Sequence, residues 1–153
     1  WPEEKLAHDK VDSINCAIRK GVQAAIIATP SNLHIAQATE LVEAGVHLLI
    51  EKPLSHDEER LTKLEEVVRQ KKVKVLIGYV LRHDPAAQYF KDKLENAVVG
   101  KLLHARIECG SYLPDWRPEQ DFRQTASARQ ELGGGVLLEL SHEINYLIRG
   151  NFV

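Results

Sequence analysis

The fold is decided by the stretch Gly45-Val46-His47-Leu48-Leu49-Ile50-Glu51-Lys52-Pro53, an apolar run that ends abruptly in a carboxylate, an ammonium and a proline. A short apolar run between a glycine and polar residues is typical of an inner strand of a parallel sheet. Ligands of open parallel sheets bind beyond the carboxyl ends of the strands, so Glu51 and Lys52 lie where chemistry is expected. A solvated ion pair that closes the strand is the alternative interpretation of the dipeptide alone. The proline turns the chain sharply, and its peptide bond can be cis.

A second apolar run completes a βαβ pattern with this stretch. Residues 22–28 run apolar and stop at Thr29-Pro30, as an inner strand does. A helix is predicted between the two strands, with Ser31 and Asn32 as capping residues and Gly45 at its end. Its apolar face consists of Ile35, Ala38, Leu41 and Val42.

Helical patterns flank this unit on both sides. Residues 2–20 have a loose helical spacing that ends at Gly21, either as one helix or as two pieces broken near Asp12-Ser13. Further along, Ser55 and Glu58 form a capping-box pattern, which predicts that a helix starts there. The buried stripe of that helix consists of Leu61, Leu64, Val67 and Val68.

A third strand is predicted over residues 73–79, and the sequence pattern changes after it. Residues 82–85 break the pattern, a helix is predicted over residues 86–94, and Gly100 marks a boundary. Apolar and polar residues then alternate over residues 103–109, which is typical of a half-exposed strand in an antiparallel or mixed sheet.

The last third of the chain combines a long irregular segment with a glycine-led helix. Residues 111–130 contain prolines and aromatic residues among polar ones, and residues 133–135 are three glycines that lead into a helical run. The triplet has neither the spacing of a P-loop nor that of a dinucleotide fingerprint, so we expect it to let the helix start close to another segment or a ligand. On the helix, Glu139 shares a face with His142, and a lone helix histidine is either a packed residue or a catalyst.

Composition gives no indication of a nucleic-acid or membrane partner, because the 153 residues carry a formal net charge of −2 without long runs of either sign. Cys16 and Cys109 match no metal or redox spacing, so no metal site and a reducing, cytoplasmic compartment are expected. The chain begins with Trp1 and contains no methionine. We therefore expect it to be part of a longer protein.

Four motifs follow one another along the chain: Ala28-Thr29-Pro30-Ser31-Asn32-Leu33-His34, Glu51-Lys52-Pro53, Gly78-Tyr79 with Arg82 and Pro85, and Gly133-Gly134-Gly135 with His142. In this order and spacing, over residues 12–150, they resemble the glucose-fructose oxidoreductase and inositol dehydrogenase (Gfo/Idh/MocA) family. The resemblance implies an α/β fold. Residues 1–82 would form the later part of a Rossmann-type parallel sheet, and residues 83–153 would begin an α/β substrate domain with an open, mostly antiparallel sheet.

The resemblance also implies a reaction, namely hydride transfer between NAD or NADP and a hydroxyl-bearing carbon of a sugar, nucleotide sugar or cyclitol. It implies that Lys52 hydrogen-bonds the reacting oxygen and that His142 is the acid/base, in a cleft between the two domains. The chemistry agrees, because oxidising an alcohol needs a base within reach and an ammonium stabilises the developing negative charge. The implied cofactor contacts are Thr29, Pro30, Asn32, His34, Glu51 and Lys52. The implied substrate contacts are Tyr79, Arg82 and Asn145.

Departures from the family pattern concern the acidic residues near the histidine. Leu138 stands where the family usually has an aspartate, four residues before His142, and the nearest acid is Glu139. Either a local helix irregularity brings Glu139 into the site as a further catalytic residue, or the substrate is anchored differently. Asn145 also replaces a frequent aspartate. The aromatic–arginine pair of the family corresponds either to Trp116-Arg117 or to Phe122-Arg123, and sequence does not decide between them.

No glycine-rich turn and no ribose-reading acid precede Gly21. The chain is therefore expected to be inactive alone, to bind a dinucleotide poorly and to form homo-oligomers through exposed edges. Two other interpretations stay open. One is a non-catalytic dinucleotide-binding regulatory or scaffold protein of the same fold, and the other is a self-sufficient flavodoxin-like binding domain.

Overall fold

A parallel sheet of three strands is the centre of the structure, a computed structural model that describes residues 10–149. The strands are β1 (Ala24–Ile27), β2 (His47–Ile50) and β3 (Val75–Ile77), and β2 lies between the other two. The predicted α/β fold with a parallel sheet is confirmed. Predictions for residues 1–9 and 150–153 lie outside the described residues.

Helices cover one face of the sheet, and helices and short 3₁₀ turns make up the regular structure of the second half. The helices are α1 (Ile14–Arg19), α2 (Ser31–Glu43), α3 (Leu61–Lys71), α4 (Pro85–Glu95), α5 (Val136–Glu139) and α6 (Ser141–Arg149). The 3₁₀ turns are Val80–Arg82, Leu113–Trp116, Phe122–Gln124, Ala126–Ala128 and Gln130–Leu132. Among residues 10–149, no helix is both long and apolar enough to cross a bilayer.

The hydrophobic core lies between one face of the sheet and helices α2 and α3. Its buried residues are Ile27, Ile35, Ala38, Leu41, Val42, Val46, Leu48, Ile50, Leu64 and Val73. The predicted apolar face of α2 is buried as a whole, which confirms its helical periodicity. Side chains alternate along each strand, so the opposite face carries Ile26, Leu49 and Leu76, which lie side by side in register and are exposed.

The start of α1 fits the predicted break near residues 12–13. The Ser13 side chain accepts a hydrogen bond of 3.1 Å from the backbone N–H of Cys16 and so caps the helix. The helix ends before Gly21, which has the predicted left-handed conformation (φ +80°).

The predicted capping role of Ser31 and Asn32 is wrong, because both are helical residues and Pro30 occupies the N-cap position. Their side chains point to a distant loop instead. Ser31 Oγ donates to the carbonyl oxygen of Gly133 at 3.1 Å, and Asn32 Nδ2 donates to that of Glu131 at 3.2 Å. These tertiary contacts occupy the polar groups that would otherwise cap the helix.

The predicted helix start at Ser55 and Glu58 is also wrong. Helix α3 begins only after Arg60, which has a left-handed conformation (φ +66°). Ser55 Oγ accepts from the N–H of Asp57, and Asp57 Oδ1 accepts from that of Glu59. Such local side-chain bonds compete with helix formation and hold this segment in turns.

The predicted strand over residues 103–109 is absent, because residues 102–112 form no regular structure and are exposed. Leu103, for example, is 88% exposed. A strand is stable only where a neighbouring strand supplies hydrogen-bond partners, and none lies beside this segment among the described residues. The predicted irregular segment that follows and the predicted helix α4 are both confirmed.

Candidate functional site

The carboxyl ends of the three parallel strands form one edge of the sheet, and polar residues follow each strand there. Thr29 and Pro30 follow β1, Glu51 and Lys52 follow β2, and Gly78 comes directly after β3. A Cβ atom on Gly78 would lie 3.2 Å from the Glu51 carboxylate, so the glycine lets the third strand end close to that group. The Lys52-Pro53 peptide bond is cis.

Lys52 joins this edge to the second half of the chain. Its ammonium nitrogen Nζ donates to the carbonyl oxygen of Glu139 at 2.7 Å and lies 3.4 Å from the Glu139 carboxylate. The two side chains are 17% and 27% exposed, so the ion pair is largely shielded from solvent. An ammonium has three N–H donors, and the described residues supply no acceptor for the third.

Glu139 reaches Lys52 because the glycine-led helix is broken. Helix α5 ends at Glu139, α6 begins at Ser141, and Leu140 between them has φ −98° and ψ 31°. The break frees Glu139 from the helical face that carries His142. The structure has a helix irregularity at this point and places Glu139 beside Lys52, while a catalytic role for Glu139 stays a prediction.

His142 lies in the second turn of this broken helix and contacts the sheet edge through Tyr79. The two ring centroids are 5.7 Å apart and the ring planes are nearly perpendicular, at 86°. The Nδ1 atom of His142 is buried and has no hydrogen-bond partner among the described residues. An unpaired buried nitrogen is costly in a structural histidine, whereas it suits one that exchanges a proton with a ligand.

Arg82 and Asn145 extend the site away from the sheet. Arg82 Nε donates to Asn145 Oδ1 at 3.0 Å, and its guanidinium carbon lies 5.2 Å from the centroid of the Tyr79 ring. Both contacts orient the planar guanidinium group. The three implied substrate contacts therefore lie together beside His142.

A cavity of about 210 Å³ is lined by Tyr79, Arg82, His142 and Asn145 on one side and by polar residues of α4 on the other. Lys52 does not line this cavity, and Glu139 lines a second cavity of about 220 Å³. Both volumes lie below the range of drug-sized ligand sites, so they suit compact ligands.

Tyr146 closes the α4 side of the first cavity. Its hydroxyl donates to the carbonyl oxygen of Ala87 at 3.1 Å. Burial, followed by the nearby Asp84 carboxylate, raises the pKa of Tyr146 above its ordinary value. The phenol therefore stays protonated at neutral pH and acts as a hydrogen-bond donor.

Several implied cofactor contacts have polar groups that are already engaged by the protein. Thr29 Oγ1 donates to Gln37 Oε1 at 2.7 Å, and both ring nitrogens of His34 lie 2.8 Å from backbone carbonyl oxygens. Pro30 and Glu51, by contrast, are exposed at the open edge. The roles of these individual residues towards a cofactor stay predictions.

Sequence reasoning missed the contact between Ser31 and the glycine triplet. Ser31 is 8% exposed, and a Cβ atom on Gly133 would lie 1.9 Å from its hydroxyl oxygen. The triplet predicted a close approach to another segment, and that expectation is confirmed. Nothing in the local sequence indicated which segment it would be.

Comparison with known proteins identifies the family of this chain. Residues 3–79 match the model of a family described as an oxidoreductase family with an NAD-binding Rossmann fold. The chain is 34% identical over 127 residues to an uncharacterized oxidoreductase of Synechocystis sp., which covers 82% of this chain and 33% of that protein. The chain thus spans about a third of the length of this curated relative.

Two solved structures share the fold. One is scyllo-inositol dehydrogenase from Lactobacillus casei with bound NAD(H) and scyllo-inositol, with a TM-score of 0.54 and 25% identity over 58% of this chain and 27% of that one. The other is UDP-N-acetylglucosamine 3-dehydrogenase from Acidithiobacillus ferrooxidans, with a TM-score of 0.53 and 33% identity over 57% of this chain and 28% of that one.

Proposed function

We propose a function from the premise that this chain belongs to the Gfo/Idh/MocA oxidoreductase family, whose nucleotide-binding domain is an NAD-binding Rossmann fold. The family resemblance and the cofactor class expected from the sequence are thereby confirmed. The proposed activity is the NAD- or NADP-dependent oxidation or reduction of a hydroxyl-bearing carbon in a sugar, nucleotide sugar or cyclitol. The contact of Lys52 with Glu139, three residues before His142 in the chain, carries this proposal.

The substrate class is proposed from two observations. The similar solved structures are a dehydrogenase of an inositol and one of a nucleotide sugar, both polyhydroxylated. In this chain, the cavity beside His142 is lined by groups that donate or accept hydrogen bonds, including Arg82, Asn145 and Gln88. Such a lining suits a compact ligand with several hydroxyl groups.

Lys52 is proposed to bind the reacting oxygen. Two of its interactions go to Glu139, which leaves the third N–H for an oxygen of the substrate. Glu139 keeps the ammonium in place and balances its charge within a largely shielded site. As the alcohol loses its proton, negative charge grows on the oxygen, and the fixed ammonium stabilises it.

His142 is proposed to exchange the hydroxyl proton. In the oxidation direction, the O–H bond breaks, the proton goes to a ring nitrogen of His142, and the electron pair forms the second C–O bond of the carbonyl. The nicotinamide ring, when bound, accepts the hydride from carbon or supplies it in the reverse direction. Tyr79 packs against the imidazole and keeps its plane fixed during the transfer.

The proposal is tested by following nicotinamide absorbance with the longest protein that contains this chain. Inositols, hexoses and UDP-sugars are offered with each cofactor. We expect Lys52→Met and His142→Ala to lower kcat by about 100-fold or more, since each removes charge stabilisation or proton transfer. Lys63→Met and His104→Ala change exposed residues of the same types outside the site and serve as matched controls.

If kcat of both site variants stays within about twofold of the wild-type value, the assigned roles are contradicted. Cofactor binding without turnover on any of these substrates favours a regulatory or scaffold protein of the same fold instead.

A further inference from the structure

His34 is the most deeply buried polar residue near the site, at 1% exposure, and the proposed reaction gives it no role. It lies in the first turn of α2. Its Nδ1 is 2.8 Å from the carbonyl oxygen of Pro53, and its Nε2 is 2.8 Å from that of Thr29. The imidazole therefore bridges the segment after β2 and the segment after β1.

The Pro53 contact bears directly on Lys52, because Pro53 is the next residue in the chain. On the other side of Lys52, the backbone N–H of Glu51 donates to the carbonyl oxygen of Ile27 at 2.8 Å. Lys52 is thus held between a sheet hydrogen bond and the His34 contact. Carbonyl oxygens only accept hydrogen bonds, so the ring must donate to hold either carbonyl.

Ser31, in the same turn of α2, holds the other half of the site. Its hydroxyl donates to the Gly133 carbonyl oxygen at 3.1 Å, in the turn that leads into α5. Helix α5 then ends at Glu139, the partner of Lys52. The residues that carry the Lys52–Glu139 contact are both anchored, from opposite sides, to a single helical turn.

We infer that the first turn of α2 positions the site, with His34 orienting Lys52 through the Pro53 carbonyl and Ser31 setting the position of Glu139. His34 is then a positioning residue rather than a cofactor contact. The inference rests on the proposed function for its kinetic readout. His34 and Ser31 would affect catalysis only through the positions of Lys52 and Glu139.

Two substitutions separate the two His34 contacts. The amide nitrogen of Asn occupies nearly the place of histidine Nδ1, so His34→Asn keeps a donor for Pro53. The longer Gln places its amide nearer the Nε2 position, so His34→Gln keeps a donor for Thr29 only. We expect kcat to fall by about 10- to 100-fold in His34→Gln and by less than about threefold in His34→Asn, with cofactor KM little changed in both.

Thr39→Val is the control on the same helix. Thr39 Oγ1 donates to the Ile35 carbonyl oxygen at 2.8 Å, so this variant loses a hydrogen bond at a part-buried position away from the site. A loss of kcat that is equal in the Asn and Gln variants, or absent from both, overturns the inference. If the loss of kcat came only from lower stability, it would correlate with the thermal unfolding temperature in all three variants and would not depend on whether Asn or Gln replaces His34.

A second measurement does not depend on turnover. Crystal structures of the variants report the distance from Lys52 Nζ to the Glu139 carbonyl oxygen, which is 2.7 Å here. We expect this contact to persist in His34→Asn and to be lost in His34→Gln. Its persistence in both overturns the inference even if the protein proves to be an enzyme, and its selective loss supports the inference even if no substrate is found.

Substitutions of Ser31 test the inference without a change at His34. We expect Ser31→Ala to lower kcat several-fold and Ser31→Thr, which retains a hydroxyl, to restore most of it. Full activity of Ser31→Ala contradicts the role given to this residue.

Discussion

The two halves of the molecule, the sheet half up to Arg82 and the half that follows it, are stabilised by different interactions. The buried hydrophobic residues of the described chain all lie between Ile27 and Val73, around the sheet, whereas residues 102–112 are exposed throughout. Besides the ring contact between Tyr79 and His142, the second half is tied to the first by polar contacts. These are Ser31 with Gly133, Asn32 with Glu131, Lys52 with Glu139 and Arg82 with Asn145. The difference teaches that the sheet supplies stability while polar contacts determine the geometry of the site.

The sheet itself shows a related contrast between its faces. One face is covered by α2 and α3, and on the other Ile26, Leu49 and Leu76 are 71%, 38% and 66% exposed. Rossmann-type sheets carry helices on both faces. Within residues 10–149 the second face has no such cover, and the expected homo-oligomer stays a prediction.

The largest expected effect tests the contribution of the core. Ile50 is fully buried in β2, so Ile50→Ala removes three methyl or methylene groups and leaves a cavity. We expect it to lower the free energy of unfolding by about 2–5 kcal/mol. Leu103→Ala, at an 88% exposed position, should change it by less than about 0.5 kcal/mol. Urea unfolding of the chain measures both values, and similar losses would refute the contrast between the halves.

A smaller effect is expected at the junction. A Cβ atom on Gly134 would lie 2.0 Å from the backbone oxygen of Ala126, so Gly134→Ala forces the loop before α5 to shift. We expect a loss of about 1–3 kcal/mol, typical of overpacking. Gly110→Ala is the matched control, because its Cβ would meet nothing within 4 Å. Equal stability of the two variants would show that the loop does not pack as described.

The sequence predicted the sheet half well because its patterns depend on nearby residues. The apolar runs of the first two strands and the helical spacing in α2 indicate buried elements directly. The prediction for residues 103–109 depended instead on alternating apolar and polar residues and was wrong, since a strand also needs a neighbour. Ser31 was misassigned for a similar reason, because its partner, Gly133, is 102 residues away.

The site was predictable to the extent that its residues stand in motifs. Lys52 and His142 came from the family resemblance, and the comparisons leave their individual roles as predictions. Glu139 could only be offered as one of two alternatives. The conformation of Leu140 that breaks the helix depends on tertiary packing, which has no signature in the local sequence.

A weaker coupling is expected between Arg82 and Asn145, which join the end of the sheet half to α6. A double-mutant cycle with Arg82→Ala and Asn145→Ala should give an interaction of about 0.5–1.5 kcal/mol in unfolding free energy, as expected for one hydrogen bond. The pair Arg106 and Glu108, exposed and outside the site, should give less in the same cycle. A coupling near zero for the first pair would mean that this contact does not hold the two halves together.

The smallest expected effect concerns an ion pair wholly within the second half. The Arg123 side chain, and then its backbone N–H, donates to the Asp121 carboxylate and lowers the pKa of Asp121 below its ordinary value. A carboxyl whose folded pKa is lowered stabilises the fold above its unfolded pKa, about 3.9, and this contribution is lost as the pH falls through the folded pKa.

We therefore expect an NMR titration of the Asp121 carboxyl to have its midpoint below that of an unperturbed aspartate, and to return towards it in Arg123→Gln or at high salt. Asp121 is an exposed residue, so the acid unfolding of the sheet should not change measurably in the variant. An unchanged midpoint in Arg123→Gln would show that the ion pair does not persist in solution. A midpoint that shifts without any change in unfolding would instead show that polar contacts in this half order the chain locally and contribute little to global stability.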